Sequence, residues 1–314
     1  MEITMQTKII KLNLITPLRS NISGMPSLLS GSSPIVPSDT IWSAICNENV
    51  QKIERYKDLA EKGDLIFSDA LPFVKDALLI PKPQVKIPCD FDNYKALKKL
   101  KFVPLSSSVV ANYDPQSPSS FCALVAESIN LEKQIGTEIL RTRASISRTG
   151  EEDTVPYTIS AFEFNENSGL YILVNAKDEN IFNEFLCDIK AQGIVGFGGR
   201  KSSGWGKFEV ANFGDFDVPK GDKFLLLSTA LPSENEMEVL SDEEFKIFNR
   251  NGFASVTNNN DKLVRRKNIF AIASGAIFKK KFKGCVAVVT PPNMPHSVYR
   301  FLTAFFVPFN GEIK

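Results

Sequence analysis

Histidine is almost missing: His296 is the single one in 314 residues. That excludes any two-histidine metal or catalytic site, and any acid–base scheme that needs an imidazole in the first 295 residues. Cysteine is sparse, with Cys46, Cys89, Cys122, Cys187 and Cys285 scattered, odd in number and never spaced C-x-x-C. This is neither a zinc site nor a disulfide framework, and it fits a reducing compartment. Long apolar runs are absent. FAIASGAIF (270–278) and FLTAFFVPF (301–309) are about half of what a membrane helix needs. The first residues, MEITMQTKIIKLNL, alternate apolar with polar rather than forming the apolar core of a cleavable leader. Charge of one sign is also missing: 37 Lys+Arg against 36 Asp+Glu leaves +1, which excludes a uniformly basic binder but not a local basic face. The expectation is a soluble cytoplasmic protein with no membrane span, no metal and no cofactor.

What is present is ordinary globular material. Hydrophobic residues make up 43% and charged residues 23%, enough to bury a core in two domains or one large one. Ile10, Leu12 and Leu14 alternate with Lys11 and Asn13, which predicts a strand over 8–15. A Ser/Gly/Pro-rich loop follows from Arg19 to Ser38, and Ser38 or Asp39 caps a helix bearing Ile41, Ala44 and Ile45. A strand is predicted over 64–67. Residues 73–160, rich in proline, lysine and turn residues, read as an insertion, in part a hairpin. GLYILVNA (169–176) reads as a strand. Ile181, Phe182, Phe185, Leu186 and Ile189 predict a helix over 180–193, capped by Asn180 and stopped by Gly193. A strand over 207–212 closes the unit.

The order is βαββαβ, so the fold class is α+β and ferredoxin-like (RRM-like). KFLLLSTALP (223–232) resembles KIIKLNLITP (8–17), which suggests a second, degenerate unit. Its strands are predicted over 268–279, 284–290 and 298–309, with an exposed acidic helix over 234–244. The predicted domains are 1–216, with its insertion at about 73–160, and 217–314.

The densest chemistry lies in GIVGFGGRKSSGWGKF (193–208). Six of the 18 glycines fall in 193–206, around Arg200, Lys201, Ser202 and Ser203. Bare N–H groups beside cations and hydroxyls make a cradle for phosphate. The alternative is a helix-to-strand connection that tolerates glycine. A P-loop is excluded, because Trp205 and Gly206 stand where Lys and Ser/Thr are required.

A second segment, RTRASISRTG (141–150), carries Arg141, Arg143 and Arg148 without an acid, either as a track for a phosphate chain or as a solvated face. The lysines of 95–101, RRK (265–267) and KKKFK (279–283) read as solvated faces sooner than as RNA contacts. Glu151, Glu152 and Asp153 read as an acidic turn rather than a metal site. Tyr157, Tyr171, Phe197 and Trp205 are candidates for base stacking; Tyr171 reads as core, whereas Phe197 and Trp205 suit core packing and base stacking equally. His296 reads as a surface residue.

Several segments, in order, carry a resemblance: PSDTIWSAICNE (37–48), IFSDALPF (66–73), LLIPKP (78–83), RTRASISRTG, GLYILV, GFGGRKSSGWGKF, ASGAIF (273–278) and VYRFLTAFFVPF (298–309). On these the chain resembles the RAMP superfamily of the CRISPR machinery, and more narrowly the family of type III-A (Csm) effector subunits that cap the 5′ handle of the guide RNA, fourth in the usual naming.

The resemblance implies tandem ferredoxin-like folds with a thumb-like insertion, for which 82–112 is the candidate. It implies a non-enzymatic, RNA-binding role with four macromolecular contacts: the crRNA 5′ handle, the large signature subunit, a backbone RAMP subunit and, indirectly, target RNA. The family's RNA-binding positions correspond to Gly198, Gly199, Arg200, Lys201, Ser202 and Ser203 in the glycine loop, and to Arg141, Arg143, Ser145 and Arg148. Backbone relatives cleave target RNA with an aspartate after the first strand. Asp39 belongs to the helix motif, so cleavage is not transferred to it. The rival functions are a repeat-RNA-processing endoribonuclease on the same fold and a stand-alone RNA-binding module.

Overall fold

A computed structural model describes residues 6–20, 31–84, 95, 98–105, 118–145, 155–241, 243, 245–255 and 263–309. The first half runs β1 (Thr7–Leu14), α1 (Ser38–Glu48), α2 (Ile53–Lys62), β2 (Leu65–Phe67), β3 (Leu71–Val74), β4 (Ala77–Pro81), β5 (Phe102–Pro104), α3 (Pro118–Ile135), β6 (Gly136–Ser145), β7 (Val155–Phe164), β8 (Ser168–Ala176), α4 (Glu179–Val195) and β9 (Phe208–Asp215). Its main sheet has the order β5-β4-β3-β8-β1-β9, with β2 also on β8, and every pairing is antiparallel.

The burial pattern of β8 explains why it reads as an unbroken apolar run. Leu170, Ile172 and Val174 face the helices with Ile10, Leu12, Trp42, Phe67 and Phe185. Tyr171 and Leu173 face the other way, against Leu71, Phe73 and Leu79 and also against Leu225, Leu227, Phe305, Val307 and Phe309 of the second half. A strand covered on both faces has no polar side to alternate. The Tyr171 hydroxyl donates to the Leu79 carbonyl at 3.0 Å, so this tyrosine is core, as expected.

The second half contains β10 (Lys223–Leu226), β11 (Ile247–Arg250), β12 (Phe253–Ser255), β13 (Leu263–Arg265), β14 (Ile269–Ile272), β15 (Ile277–Phe278), β16 (Gly284–Val288), β17 (Tyr299–Thr303) and β18 (Phe306–Phe309). β10 lies between β15 and β18, much as β1 lies between β8 and β9. No α-helix occurs among the described residues after 217, so the helices of a second βαββαβ unit are not seen there. The acidic stretch forms a short 3-10 helix, Glu234–Leu240, closed by Ser233 and Glu236 acting as a capping box. The strands expected over 268–279 and 298–309 are each broken in two.

Other local expectations are corrected. Helix α4 starts one residue early, because Asp178 rather than Asn180 caps it, accepting from the Ile181 N–H at 2.9 Å. It also runs past Gly193. A Cβ on Gly193 would lie 2.4 Å from the Phe208 carbonyl oxygen, so that glycine lets helix and strand touch, and Gly196 (φ +97°) ends the helix. The region read as insertion divides into parts. β3, β4 and β5 extend the main sheet, and β5, with buried Phe102 and Val103, lies inside the candidate thumb. β6 and β7 form a separate ten-residue ribbon. Most of 82–112, and Glu151 to Asp153, lie outside the described residues.

Candidate nucleic-acid interface

The connection from α4 to β9 is clamped onto the segment that follows β1. The Gly199 N–H donates to the Arg19 carbonyl at 2.9 Å, the Gly206 N–H to the Pro17 carbonyl at 2.9 Å and the Phe197 N–H to the Gly206 carbonyl at 2.9 Å. Gly198 and Gly206 have φ of +77° and +75°, and a Cβ there would come within 2.2 Å of the Arg19 oxygen and 2.0 Å of the Phe197 oxygen. These glycines therefore serve close backbone packing. The expected cradle of bare amides is corrected in this respect: the N–H groups of Gly199, Ser203, Gly204 and Gly206 are spent on main-chain carbonyls. What the loop presents outward is its tip. Arg200, in the left-handed region at φ 66°, Ser202 and Ser203 are exposed. Lys201 is half-buried and paired with Glu48 of α1 at 3.1 Å.

The ribbon supplies the other wall. Arg143 pairs with Tyr157 and Arg141 with Ile159 in register, which puts these four residues on one face. Trp205 is buried against Ile159 and Ala161, with Ile139 and Tyr157 at its margin. The Arg143 guanidinium lies 5.5 Å from the Trp205 ring centre, and that of Arg200 lies 5.8 Å from Tyr157, whose hydroxyl it also reaches at 3.2 Å. Arginine over an aromatic face keeps its plane fixed and its outer N–H groups free to donate.

Arg19 joins from the third segment, donating to the Ser160 carbonyl at 3.1 Å. Burial, and secondarily the charge of Arg200, push its pKa below the usual arginine value. The site thus gathers Arg19, Arg143 and Arg200 from three parts of the chain, with Arg141 exposed on the same ribbon face.

Of the anticipated residues, the fold brings together Arg143 and Arg200 and keeps Arg141 on the adjoining surface. It diverts Lys201 to Glu48 and uses Gly198 and Gly199 as packing elements. Ser145 ends β6, and Arg148 lies outside the described residues. Phe197 is fully buried and stacks on Phe208 at 4.6 Å, and Trp205 is also buried, so for both the core reading is the correct one. Tyr157, a candidate for base stacking, does join the cluster, under Arg200, whereas Arg19 was missed as a member. A lone cation in a Ser/Gly/Pro-rich loop directly after the first strand was the available signal for Arg19.

Asp39 is not a helix cap. Pro37 occupies the cap position, and the Asp39 carboxylate is fully buried. Arg250 donates to it through Nε at 2.8 Å and Nη2 at 2.6 Å, and Arg300 donates through Nη1. Burial alone would push this carboxyl up, but the two guanidinium groups outweigh it and hold the pKa below the ordinary range. Beside it Trp42 stacks on Phe301 at 4.5 Å. The Asp69 carboxylate accepts from the N–H groups of Ser38 at 2.8 Å and Thr229 at 2.7 Å. PSDTIW is thus a seam joining the first helix to the second half. His296 is exposed. Among the described residues no helix is long and apolar enough to cross a membrane.

Comparison with known proteins adds the family context. Residues 11–209 match the model of the RAMP superfamily, and residues 219–309 match that of the CRISPR Csm4 C-terminal domain. The chain is 26% identical over 294 residues to the CRISPR system Cms protein Csm4 of Mycobacterium tuberculosis (strain ATCC 25618 / H37Rv), covering 89% of this chain and 91% of that one. It is 26% identical over 301 residues to the protein of the same name from Streptococcus thermophilus, covering 88% and 92%. Among solved structures, a chain of the Csm1–Csm4 cassette in complex with cA4 superposes with a TM-score of 0.62 at 18% identity, covering 98% and 99%. A chain of the Csm3–Csm4 subcomplex of a type III-A CRISPR-Cas interference complex gives 0.57 at 19%, covering 98% and 100%. At those identities the likeness establishes the fold.

Proposed function

The chain belongs to the RAMP superfamily, and on that premise we propose that it is a non-catalytic RNA-binding subunit of a type III-A CRISPR effector complex. In this reading it grips the 5′ handle of the guide RNA, docks the large signature subunit and abuts a backbone RAMP subunit. It works in the cytoplasm and meets target RNA only indirectly. The observation that carries the RNA contact is the convergence of Arg19, Arg143 and Arg200 from three segments, two of them laid over Trp205 and Tyr157. Fixed guanidinium planes suit phosphate oxygens, and their charge makes binding fall with salt. The Csm4 C-terminal match over 219–309, and relatives named as Csm1–Csm4 and Csm3–Csm4 assemblies, support the two protein contacts. Tandem ferredoxin-like units divided near residue 217 belong to the same proposal, supported by the equivalent places of β1 and β10 in their sheets.

The non-catalytic part is supported by Asp39, whose carboxylate is enclosed by two arginines. The test uses the full chain and single-stranded repeat RNA. R143A/R200A should weaken binding at every sequence and flatten the log–log salt slope by about 1.4, two contacts at about 0.7 each. An unchanged slope removes this cluster from the interface. Site-specific cutting of labelled repeat RNA by the wild-type chain alone would establish the endoribonuclease instead. Purification from its host with one small RNA species and a large partner separates the complex reading from a stand-alone module.

A further inference from the structure

The second half carries a basic and aromatic surface that the cluster around Arg200 does not use. β11 pairs with β14 (Ile247↔Ile272 to Arg250↔Ile269), and β12 pairs with β13 (Phe253↔Arg265 to Ser255↔Leu263). The two pairings are nested, so 247–255 and 263–272 are the two arms of one long ribbon. Its described residues and their flanks (245–255 and 263–272) hold Lys246, Arg250, Arg265, Arg266 and Lys267 and no acid. Arg265 and Lys267 are exposed and have no ion-pair partner among the described residues.

Two large rings lie open on this ribbon: Phe253 is 51% exposed and Phe270 is 56% exposed. Phe253 stands opposite Arg265 in register, and its carbonyl is held by Arg266 Nε at 2.9 Å. The base of the ribbon is fixed, since Arg250 is buried on Asp39 of α1 and Arg300 reaches the Asn251 carbonyl at 3.2 Å. Two guanidinium groups, those of Arg250 and Arg300, meet one carboxylate there, and Arg300 Nε is buried without a hydrogen-bond partner.

We propose that the ribbon of 247–255 and 263–272 is a second contact for single-stranded RNA, in which Phe253 and Phe270 stack on bases and Arg265 and Lys267 hold the adjoining phosphates. Charge complementarity selects this occupant. Open rings set among exposed cations offer a polyanion both a stacking face and counter-charge, whereas an apolar protein partner would have to cover those cations at a desolvation cost. The inference rests on the RNA-binding reading but uses different residues, so the two can fail separately.

The experiment compares full-length wild type, F253A/F270A, R265A/K267A and R143A/R200A for binding to a single-stranded RNA of the repeat sequence and to a 20-base-pair RNA duplex. All four ribbon residues are exposed, so the fold should be retained, and an unchanged thermal midpoint checks this. F253A/F270A should weaken single-strand binding by about fivefold or more per ring with little change in salt slope. R265A/K267A should flatten that slope by about 1.4. F253A/F270A should matter less for duplex RNA, whose bases cannot stack on a ring. If both ribbon variants bind the single strand like wild type while R143A/R200A does not, the ribbon proposal is overturned and the first site stands. If R143A/R200A is also silent, both fail. Ribbon variants that keep RNA affinity but lose the large or backbone subunit on co-purification would make the surface a protein contact and sink the proposal.

Discussion

Replacing Asp39 with alanine should be among the most damaging single changes in the protein. The carboxylate has no solvent exposure, and it receives two hydrogen bonds from Arg250 and one from Arg300, both also buried. Removing it leaves two arginines facing each other in a dry place with no counter-charge. Breaking a buried ion pair from one side costs about 3–5 kcal/mol, and two stranded cations put this case at the upper end. For a chain of this length each kcal/mol lowers the thermal midpoint by about 2 °C, so a fall of about 6–10 °C is expected by circular dichroism. The loss should depend on pH with a definite sign. The folded pKa of Asp39 is depressed, so its contribution is present above the ordinary carboxyl value and disappears as pH falls through the folded one. Wild type and D39A should therefore differ most near neutrality and converge in acid. Changing all three partners to apolar residues (Asp39→Leu, Arg250→Met, Arg300→Met) should recover much of the deficit, because no charge is then stranded. A fall of under about 1 kcal/mol in D39A would mean that water reaches the cluster, and the argument for a dry seam would be wrong.

Three other outcomes follow from the same coordinates. Asp69 is buried and its pKa is pushed up to about 6 by burial, against the pull of its hydrogen bonds. The folded state therefore holds that proton more tightly than the unfolded state, and wild-type stability should decline by up to about 3 kcal/mol from pH 4 to 6. D69N keeps an oxygen for the Ser38 and Thr229 amides and should gain on wild type across that range in pH-resolved melting. G206A should lose more than about 2 kcal/mol, because φ is +75° and the new methyl would meet the Phe197 oxygen; G204A, at φ +78° with open space, should lose about 1 kcal/mol. Urea titration separates the two. D178A should lose about 1 kcal/mol of cap energy, whereas N180A should stay within about 0.5 kcal/mol on the same titration.

What was legible in the sequence was what local periodicity determines. The five apolar residues that announce α4 are all buried, and the alternation of β1 puts Ile10 and Leu12 in the core. The glycine density of 196–206 correctly marked a special backbone, but composition could not tell glycines that admit a ligand from glycines that admit Arg19 and Phe197. Asp39 was misread because its partners lie 211 and 261 residues away, and a carboxylate at a helix start has a sufficient local explanation. Trp205 was undecidable for a similar reason, since the strands that cover it come from the distant ribbon, whereas the ring on Phe197 is Phe208 of the same segment, brought back only when the loop closes. The Arg143 and Arg200 juxtaposition needed the ribbon to fold back over the loop. Neither segment alone specifies that.

Phe305, Val307 and Phe309 close the far face of a sheet whose first strand begins at Thr7. A ribosome that has already emitted β1 through β9 must still deliver everything up to Phe309 before that face is covered. At about 5–20 residues per second, the hundred or so intervening residues take roughly 5–20 seconds. During that interval Leu71, Phe73, Leu79 and Leu173 form an open greasy surface on the nascent chain. Slowing translation after residue 217 should therefore raise the share of product captured by chaperones or lost to inclusion bodies.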